Sequence, residues 1–389
     1  MKPFTPTRFT LLVLLAAAMP SLLGTAAVSP VLGLMKEAGL GPEFVVNLVL
    51  TLPPLATAAA GFFIGALSDK IGRVKILAVS LFLFAAAGVS GFFLDNIYAI
   101  IAMRLILGVS IAGLLPMASA LISEYYEGEQ RTRYLGYIGV SNGIGVLILQ
   151  TLCGALANFG WRYAFLVYLL ALVALPFVLL CLREPPHTCE EKSECPVTVP
   201  SPLRYVGIYA LVFFPALVMY LVAVNLSYYT GSFAVSVSPF WVGLLLGIFG
   251  LSSAVSGFLF WRFSRRFNPL SIAGLIFLFE AAGLFLIGIS ENLVLLTIGL
   301  ILLGFGMGLA MPNGTAWVSK ITPPAVLGRY MGGVTVSTFL ALFSNSFVSP
   351  LVLSVLGEGE YALMFLLFAA LSAAVGVMLY AFGKKKSVV

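Results

Sequence analysis

The chain has 389 residues, of which 61% are hydrophobic and 9% are charged, and its mean hydropathy is +1.08. Soluble domains are about 45–50% apolar and about 25% charged, so this composition excludes a soluble globular protein and places most of the chain in lipid. The net charge of +6 would suit nucleic-acid binding in a soluble protein, but here it indicates orientation, because Lys and Arg accumulate in cytoplasmic loops. No nucleic-acid partner is expected.

Twelve apolar runs are long enough to cross a bilayer, because a hydrocarbon core of about 30 Å needs about 20 helical residues. Helices are predicted throughout, since backbone groups in lipid must be satisfied within the segment. The first run resembles a signal peptide at its start, but it continues to Val31 and is predicted to be a retained span. The runs lie near 9–31, 44–67, 74–94, 97–121, 134–157, 162–182, 205–230, 240–261, 270–289, 292–314, 328–355 and 361–382.

The basic residues predict the orientation of these spans. Of the 21 Lys and Arg residues, 18 lie on the side of the membrane that carries both termini. Only Lys36 and Arg162 lie in the opposite loops, and Arg104 lies within a span. This asymmetry predicts a multi-pass protein of the cytoplasmic (inner) membrane with both termini in the cytoplasm.

The chain also repeats itself. LGVSIAGLLP at 107–116 matches LGFGMGLAMP at 303–312, and RYLG at 133–136 matches RYMG at 329–332 with the same offset. We therefore predict an all-α integral membrane protein with twelve transmembrane helices in two pseudo-symmetric six-helix bundles. The bundles are predicted at 1–182 and 205–389, with a cytoplasmic linker at 183–204. Parallel six-helix repeats are an architecture of secondary transporters, whose substrate site lies between the repeats.

The linker contains Cys189 and Cys195, which flank a polar stretch. A disulfide between them is not expected in the cytoplasm. The nearby His187 makes a metal site conceivable, but three scattered ligands do not predict one. Cys153 and Cys181 lie in apolar runs and are expected to be small core residues. No metal and no cofactor are predicted.

The loop between spans 2 and 3, GALSDKIGRVKIL at 65–77, concentrates charge in a chain that has little. Gly65 would permit a close helix approach, and Gly72 a left-handed turn. The pattern G-x-L-x-D-x-x-G-R resembles the loop 2–3 signature of the major facilitator superfamily, and RLILG at 104–108 resembles its span 4 signature. The resemblance implies the superfamily's fold, of the twelve-helix bacterial permease or exporter type. It also implies gating by Gly65, Asp69, Gly72 and Arg73, with Asp69 pairing with the start of span 11.

Two ionisable residues lie deep in predicted spans, where each costs at least about 2.5–3.5 kcal/mol. Arg104, in span 4, is expected either to bind an anionic group or adjust a proton site in a central cavity, or to brace its own half against span 1. Glu280, in span 9, is a candidate proton carrier, because desolvation favours its protonated form. The alternative is that Glu280 is a protonated or interhelically bonded structural group.

Uncharged polar residues follow the helix faces predicted to border the cavity. Each is individually typical of a helix–helix hydrogen bond, but together they predict a mildly polar pocket with an aromatic rim. The predicted substrate-binding residues are Arg104, Asn142, Gln150, Asn225, Tyr228, Asn313 and Asn345, and the predicted proton-coupling residues are Glu280 and Arg104.

The favoured function is a secondary active transporter that moves a small organic solute by alternating access, by proton-coupled efflux of a drug, sugar or metabolite. The alternative is an uptake permease for a small organic anion that uses Arg104. A membrane-embedded enzyme is not expected, because no convergent nucleophile, base or metal set is present. A sensor or lipid flippase on the same fold stays open. The expected partners are the small-molecule substrate, membrane lipid and protons, and the chain is predicted to be a monomer.

Overall fold

A computed structural model describes residues 6–20, 24, 26–184, 202–231, 233, 237–323 and 327–386. These residues form thirteen α-helices and two 3-10 segments, and they contain no β-strand. The 3-10 segments are Ser29–Val31 and Trp161–Leu169. The α-helices are α1 Arg8–Ala18, α2 Leu32–Glu37, α3 Glu43–Ile71, α4 Arg73–Phe93, α5 Ile97–Tyr125, α6 Gly128–Ala157, α7 Leu170–Cys181, α8 Pro202–Gly231, α9 Pro239–Arg266, α10 Pro269–Gly288, α11 Leu293–Ile321, α12 Leu327–Leu356 and α13 Tyr361–Lys386.

Within the described parts of the chain, eleven helical segments are long and apolar enough to cross a membrane. They coincide with predicted spans 2 to 12. Predicted span 1, at 9–31, begins with the 11-residue helix α1, and four of its residues, 21–23 and 25, lie outside the described set. The prediction of an all-α membrane fold is confirmed.

The chain divides into two compact units, and most of each comes from one half of the sequence. The first consists of Met1–His187, Leu226–Gly231 and Ser236–Gly247, and the second of Thr188–Asn225, Ser232–Val235 and Ile248–Val389. The bundle limits predicted from the sequence stay a prediction. Most of the predicted linker, residues 185–201, lies outside the described residues.

In the first unit, α3 packs closely on α5 at Gly108. A Cβ atom on Gly108 would lie 2.4 Å from the carbonyl oxygen of Pro53 and 2.7 Å from the Cβ of Ala56. The Thr57 hydroxyl lies 2.8 Å from the carbonyl oxygen of Gly108 and 2.9 Å from that of Pro53. A residue without a side chain therefore lets a hydroxyl of one helix reach the backbone of the other.

In the second unit, α10 packs against both α11 and α13 through glycines. A Cβ on Gly283 would lie 2.7 Å from the carbonyl oxygen of Gly299, and a Cβ on Gly274 would lie 2.6 Å from the backbone nitrogen of Tyr380. These distances are too short for any side chain. Helix association in lipid depends on such packing, because the tails of the lipid are as apolar as the side chains.

We predict that Gly108→Ala lowers the free energy of unfolding by about 1–3 kcal/mol, because the added methyl group would overlap the backbone of α3. Gly136→Ala is the matched control, since no atom lies within 4 Å of its Cβ position on α6. Thermal unfolding of both variants in the same detergent measures the difference. Equal melting temperatures for the two variants would contradict the close α3–α5 contact.

Candidate functional site

The charged loop predicted to act in gating forms the junction between α3 and α4. Gly72 alone separates the two helices, and its φ of 110° is a conformation that side-chain-bearing residues rarely adopt. A Cβ on Gly72 would lie 2.6 Å from Cδ of Glu184. The predicted turn at Gly72 is therefore present. No atom lies within 4 Å of a Cβ built on Gly65, so the close helix approach expected there is not seen among the described residues.

Two acidic residues of the first unit hold this junction. The Glu184 carboxylate accepts hydrogen bonds from the backbone N–H of Arg73 and, at 3.1 Å, from that of Val74. The Arg73 guanidinium donates from Nη1 to the Glu124 carboxylate at the far end of α5. A carboxylate at a helix N-terminus is favourable because the first N–H groups lack partners and carry partial positive charge. The Asp69 side chain lies outside the described set, and its predicted pairing stays a prediction.

Arg104 is 1% exposed on α5 and lies against aromatic rings of the 3-10 segment Trp161–Leu169. Its Nη1 donates a 2.8 Å hydrogen bond to the Tyr168 hydroxyl, which donates at 2.9 Å to the carbonyl oxygen of Gly24. Its Cζ lies 4.7 Å from the ring centroid of Phe165 and 4.9 Å from that of Tyr168. These rings shield the cation and attract it through their electron-rich faces.

The Arg104 guanidinium has unused hydrogen-bonding capacity. Nε and Nη2 are buried without a hydrogen-bond partner, and Arg104 forms no ion pair with any acidic side chain that the structure describes. The contacts with Tyr168 and Gly24 fit the bracing interpretation. The two unpaired nitrogens are what the anion-binding interpretation requires, since a guanidinium binds a carboxylate through one N–H from each of two nitrogens.

A cavity of about 320 Å³ lies in the first unit beside this group. The rings of Tyr168 and Phe84 form part of its wall, and their centroids are 5.3 Å apart. Nearly all of the other lining residues are aliphatic, including Leu149, Val167 and Ala171. Of the predicted substrate-binding residues, none is among those that line this cavity, although Tyr168 connects its wall to Arg104.

The other predicted residues of the first unit, Gln150, Asn142 and Tyr228, are buried, and Gln150 and Tyr228 each form a hydrogen bond. Gln150 donates from Nε2 to the carbonyl oxygen of Ala26 at 2.8 Å, and its Oε1 has no partner. Asn142 is 6% exposed, and its Oδ1 has no partner. The Tyr228 hydroxyl, which belongs to the same compact unit, donates to Oδ1 of Asn47 at 3.0 Å. The structure thus brings Tyr228 to Asn47 and not to Arg104.

In the second unit, the structure joins α8 and α12 through buried amides. Asn225 accepts a 2.9 Å hydrogen bond at Oδ1 from the Ser349 hydroxyl, and Asn345 donates from Nδ2 to the carbonyl oxygen of Leu217 at 2.7 Å. Asn313 is separate from this pair, because it donates at 3.0 Å to the carbonyl oxygen of Pro269. Oδ1 of Asn345 and Oδ1 of Asn313 have no partner.

Glu280 is 1% exposed on α10, the helix that packs against α11 and α13. Its Oε2 atom is buried without a hydrogen-bond partner. No ion pair joins it to a basic side chain in the described part of the chain. A carboxylate in such surroundings would carry an uncompensated charge in hydrocarbon, so the neutral form is the one that suits this packing.

Three residues that bind Arg73 or Arg104 were not predicted from the sequence: Glu124, Tyr168 and Glu184. The two acids stand at the ends of apolar runs, and an acidic residue is rare in this chain, which has 15 in total. That rarity was the available signal. Tyr168 follows Phe165 by three residues in an apolar run, and this spacing does not distinguish it from an ordinary core aromatic.

We predict that Glu184→Ala makes the backbone amides of Arg73 and Val74 exchange about fivefold faster, as expected for the loss of a helix cap. Hydrogen exchange followed by peptide mass analysis measures the effect over the start of α4. Glu358→Ala is the control, because Glu358 is an exposed residue outside this junction. Unchanged exchange in Glu184→Ala would show that the carboxylate does not hold the helix end.

The sequence and the fold of this chain match those of known proteins. Residues 14–201 and 208–388 match the sequence model of the Major Facilitator Superfamily. The nucleoside transporter NupG has a solved structure that covers 96% of this chain and 99% of its own, with a TM-score of 0.81 and 14% identity. That likeness extends over both halves of the chain and shows the fold.

Two curated relatives match shorter parts of the chain. The niacin transporter NiaP of Acinetobacter baylyi is 29% identical over 120 residues, which are 31% of this chain and 27% of NiaP. The quinolone resistance protein NorB of Staphylococcus aureus is 30% identical over 133 residues, which are 33% of this chain and 28% of NorB. The alignments therefore span under a third of either relative. Because the family match covers nearly all of the sequence in two consecutive segments, this chain belongs to the Major Facilitator Superfamily.

Proposed function

We propose that this protein is a secondary active transporter that moves a small organic solute across the cytoplasmic membrane by alternating access. Membership of the superfamily over both halves of the chain is the observation that carries the proposal. In transporters built from such repeats, the substrate site lies near the membrane midplane. The residues proposed to bind substrate are Arg104, Asn142, Gln150, Asn225, Tyr228, Asn313 and Asn345.

The proposed direction is efflux of a drug, sugar or metabolite coupled to protons. The match to a quinolone resistance protein supports efflux. Four of the proposed residues, Asn142, Gln150, Asn313 and Asn345, each keep an amide oxygen without a partner. Such oxygens can accept hydrogen bonds from a neutral polar solute without first breaking bonds within the protein. The α3–α4 loop is proposed to act in gating, by shifting the equilibrium between the inward-open and outward-open states. Its proposed gating residues are Gly65, Asp69, Gly72 and Arg73.

A second function, uptake of a small organic anion, is favoured by Arg104. Its two unpaired nitrogens and the absence of an ion pair with any described acid leave a cation available. The match to a niacin transporter supports a compound that carries a carboxylate. A carboxylate bound to both N–H groups would neutralise the buried charge, and it would satisfy both donors at once.

The two functions are separated by transport in proteoliposomes that contain the purified full-length protein. A pH-sensitive dye inside the vesicles reports proton movement when organic cations, neutral sugars, amino acids or small carboxylates are added. Proton-coupled efflux predicts that one class of compound dissipates an imposed pH gradient. Anion uptake predicts exchange of radiolabelled niacin or another small carboxylate. Failure of every compound class in both assays would contradict a transporter of such solutes.

We predict that Arg104→Gln raises the half-saturating concentration of a carboxylate substrate about tenfold or more, because it removes charge-assisted hydrogen bonds. The control is Arg131→Gln, which removes the same charge from an exposed position at the start of α6. Melting temperature separates a binding defect from loss of the brace to Tyr168. Equal kinetics in the two variants would exclude Arg104 from binding.

We predict that Glu280→Gln abolishes proton-driven accumulation of substrate but keeps substrate exchange at equal pH, because a glutamine cannot take up and release a proton. Glu291→Gln, at an exposed position just before α11, serves as the control. If both activities of Glu280→Gln equal those of the wild type, Glu280 is a neutral structural group and the coupling proposal is wrong.

A further inference from the structure

The end of α9 carries a concentration of positive charge that the described residues do not compensate. Arg262, Arg265 and Arg266 are exposed within five consecutive residues. None of them forms an ion pair with a described acidic side chain. A helix C-terminus contributes only about half of a negative charge, so most of this positive charge is left over. By contrast, Arg73 at the α3–α4 junction is paired with Glu124.

Two of these arginines form cation–π contacts with Trp261. Its ring centroid lies 5.4 Å from Cζ of Arg262 and 4.8 Å from Cζ of Arg265. Each contact is favourable because the ring face is electron-rich, but two cations that share one ring also repel each other. An anion held by both guanidiniums would remove that repulsion. Phosphate is suited to this position, because Arg binds it through paired N–H groups.

The surface that leads to these arginines is apolar. Leu251, Val255 and Phe258 are 39%, 49% and 62% exposed, and their spacing of four and three residues places them on one face of α9. Arg262 and Arg265 continue this face by the same spacing. Arg265 lies fourteen residues after Leu251, which is about 21 Å along the helix. This length equals roughly half of a bilayer that is about 40–45 Å thick with its headgroups, so the face has the dimensions of one lipid leaflet.

We propose that this arginine face, Trp261, Arg262, Arg265 and Arg266 with the apolar residues Leu251, Val255 and Phe258, binds an anionic phospholipid. The phosphate lies between Arg262 and Arg265 beside Trp261, and an acyl chain lies along Val255 and Phe258. The order of the residues along α9, apolar and then aromatic and then basic, is the order of chain, glycerol region and phosphate in a phospholipid. The site does not depend on the proposed transport function.

The experiment measures the affinity of the purified full-length protein for phosphatidylglycerol and for phosphatidylcholine in nanodiscs. The wild type is expected to prefer phosphatidylglycerol. Arg262→Gln together with Arg265→Gln is expected to weaken that binding about 30-fold, because each arginine near an anionic surface contributes about 1 kcal/mol. Arg131→Gln with Arg133→Gln is the matched control, since it removes two charges from the exposed start of α6.

The contribution of the apolar half is tested separately. Phe258→Ser is expected to lower the affinity for long-chain phosphatidylglycerol. The affinity for a short-chain, water-soluble form should stay unchanged. The substituted residues are exposed, so the melting temperature in phosphatidylcholine should not fall. Equal loss in the two double variants would mean a general charge effect and would overturn the proposal. So would equal wild-type affinities for the two lipids.

Two further arms of the experiment test whether another group occupies the arginine face. Inorganic phosphate alone should not displace the lipid at the concentrations that saturate binding. Displacement at equal affinity would identify a free-phosphate site and overturn the lipid proposal. Replacing Glu190, Glu191 and Glu194 of the linker by Gln should leave lipid affinity unchanged. A gain of affinity would identify this acidic segment as the occupant instead.

Discussion

A hydrocarbon environment offers no water to a polar group, so a buried hydroxyl or amide is stabilised by a partner within the protein. The partner is repeatedly a backbone carbonyl oxygen of another segment. Thr57 lies within hydrogen-bond distance of Gly108, Gln150 donates to Ala26, and Asn345 donates to Leu217. Each bond ties two segments together where apolar packing alone would allow them to slide. Because the donors bind backbone, the acceptor ends of the same amides stay unused, and they are the groups that a polar solute could engage.

Positive charge is compensated differently at two helix junctions, the α3–α4 junction and the end of α9. At the α3–α4 junction, Glu124 binds the Arg73 side chain and Glu184 caps the helix that begins there. At the end of α9, the arginines are exposed and form no ion pair with a described acidic side chain. The first junction is thus stabilised within its own unit, whereas the second presents its charge to the surroundings. The positive-inside rule accounts for the side of the membrane on which basic residues lie. It does not account for the acidic group or anion that compensates their charge.

Much of the fold could be predicted from the sequence because lipid imposes a length and a composition on every span. Among the residues that the structure describes, eleven helical segments lie where the apolar runs place them, and the turn expected at Gly72 is present. The partners of Arg104 could not be predicted in this way. Glycine is common in the chain, with 39 residues, and only the folded structure shows that the contacts at Gly88 and Gly91 admit Tyr168 and Phe165. Likewise, the pairing of Asn225 with Ser349 depends on the rotation of two helices about their axes, which periodicity does not determine.

The 3-10 form of Trp161–Leu169 has a consequence for the surroundings of Arg104. In a 3-10 helix, residues three apart eclipse each other, so Phe165 and Tyr168 project from one line and both reach the same guanidinium. In an α-helix, the same two residues would be rotated about 60° from each other, so both rings would stay on one face but would be less closely aligned. The rings that surround this buried cation are therefore selected by the pitch of the backbone as well as by the identity of the residues. A shift of this segment between the two helical forms would change how strongly the cation is shielded without any change in sequence.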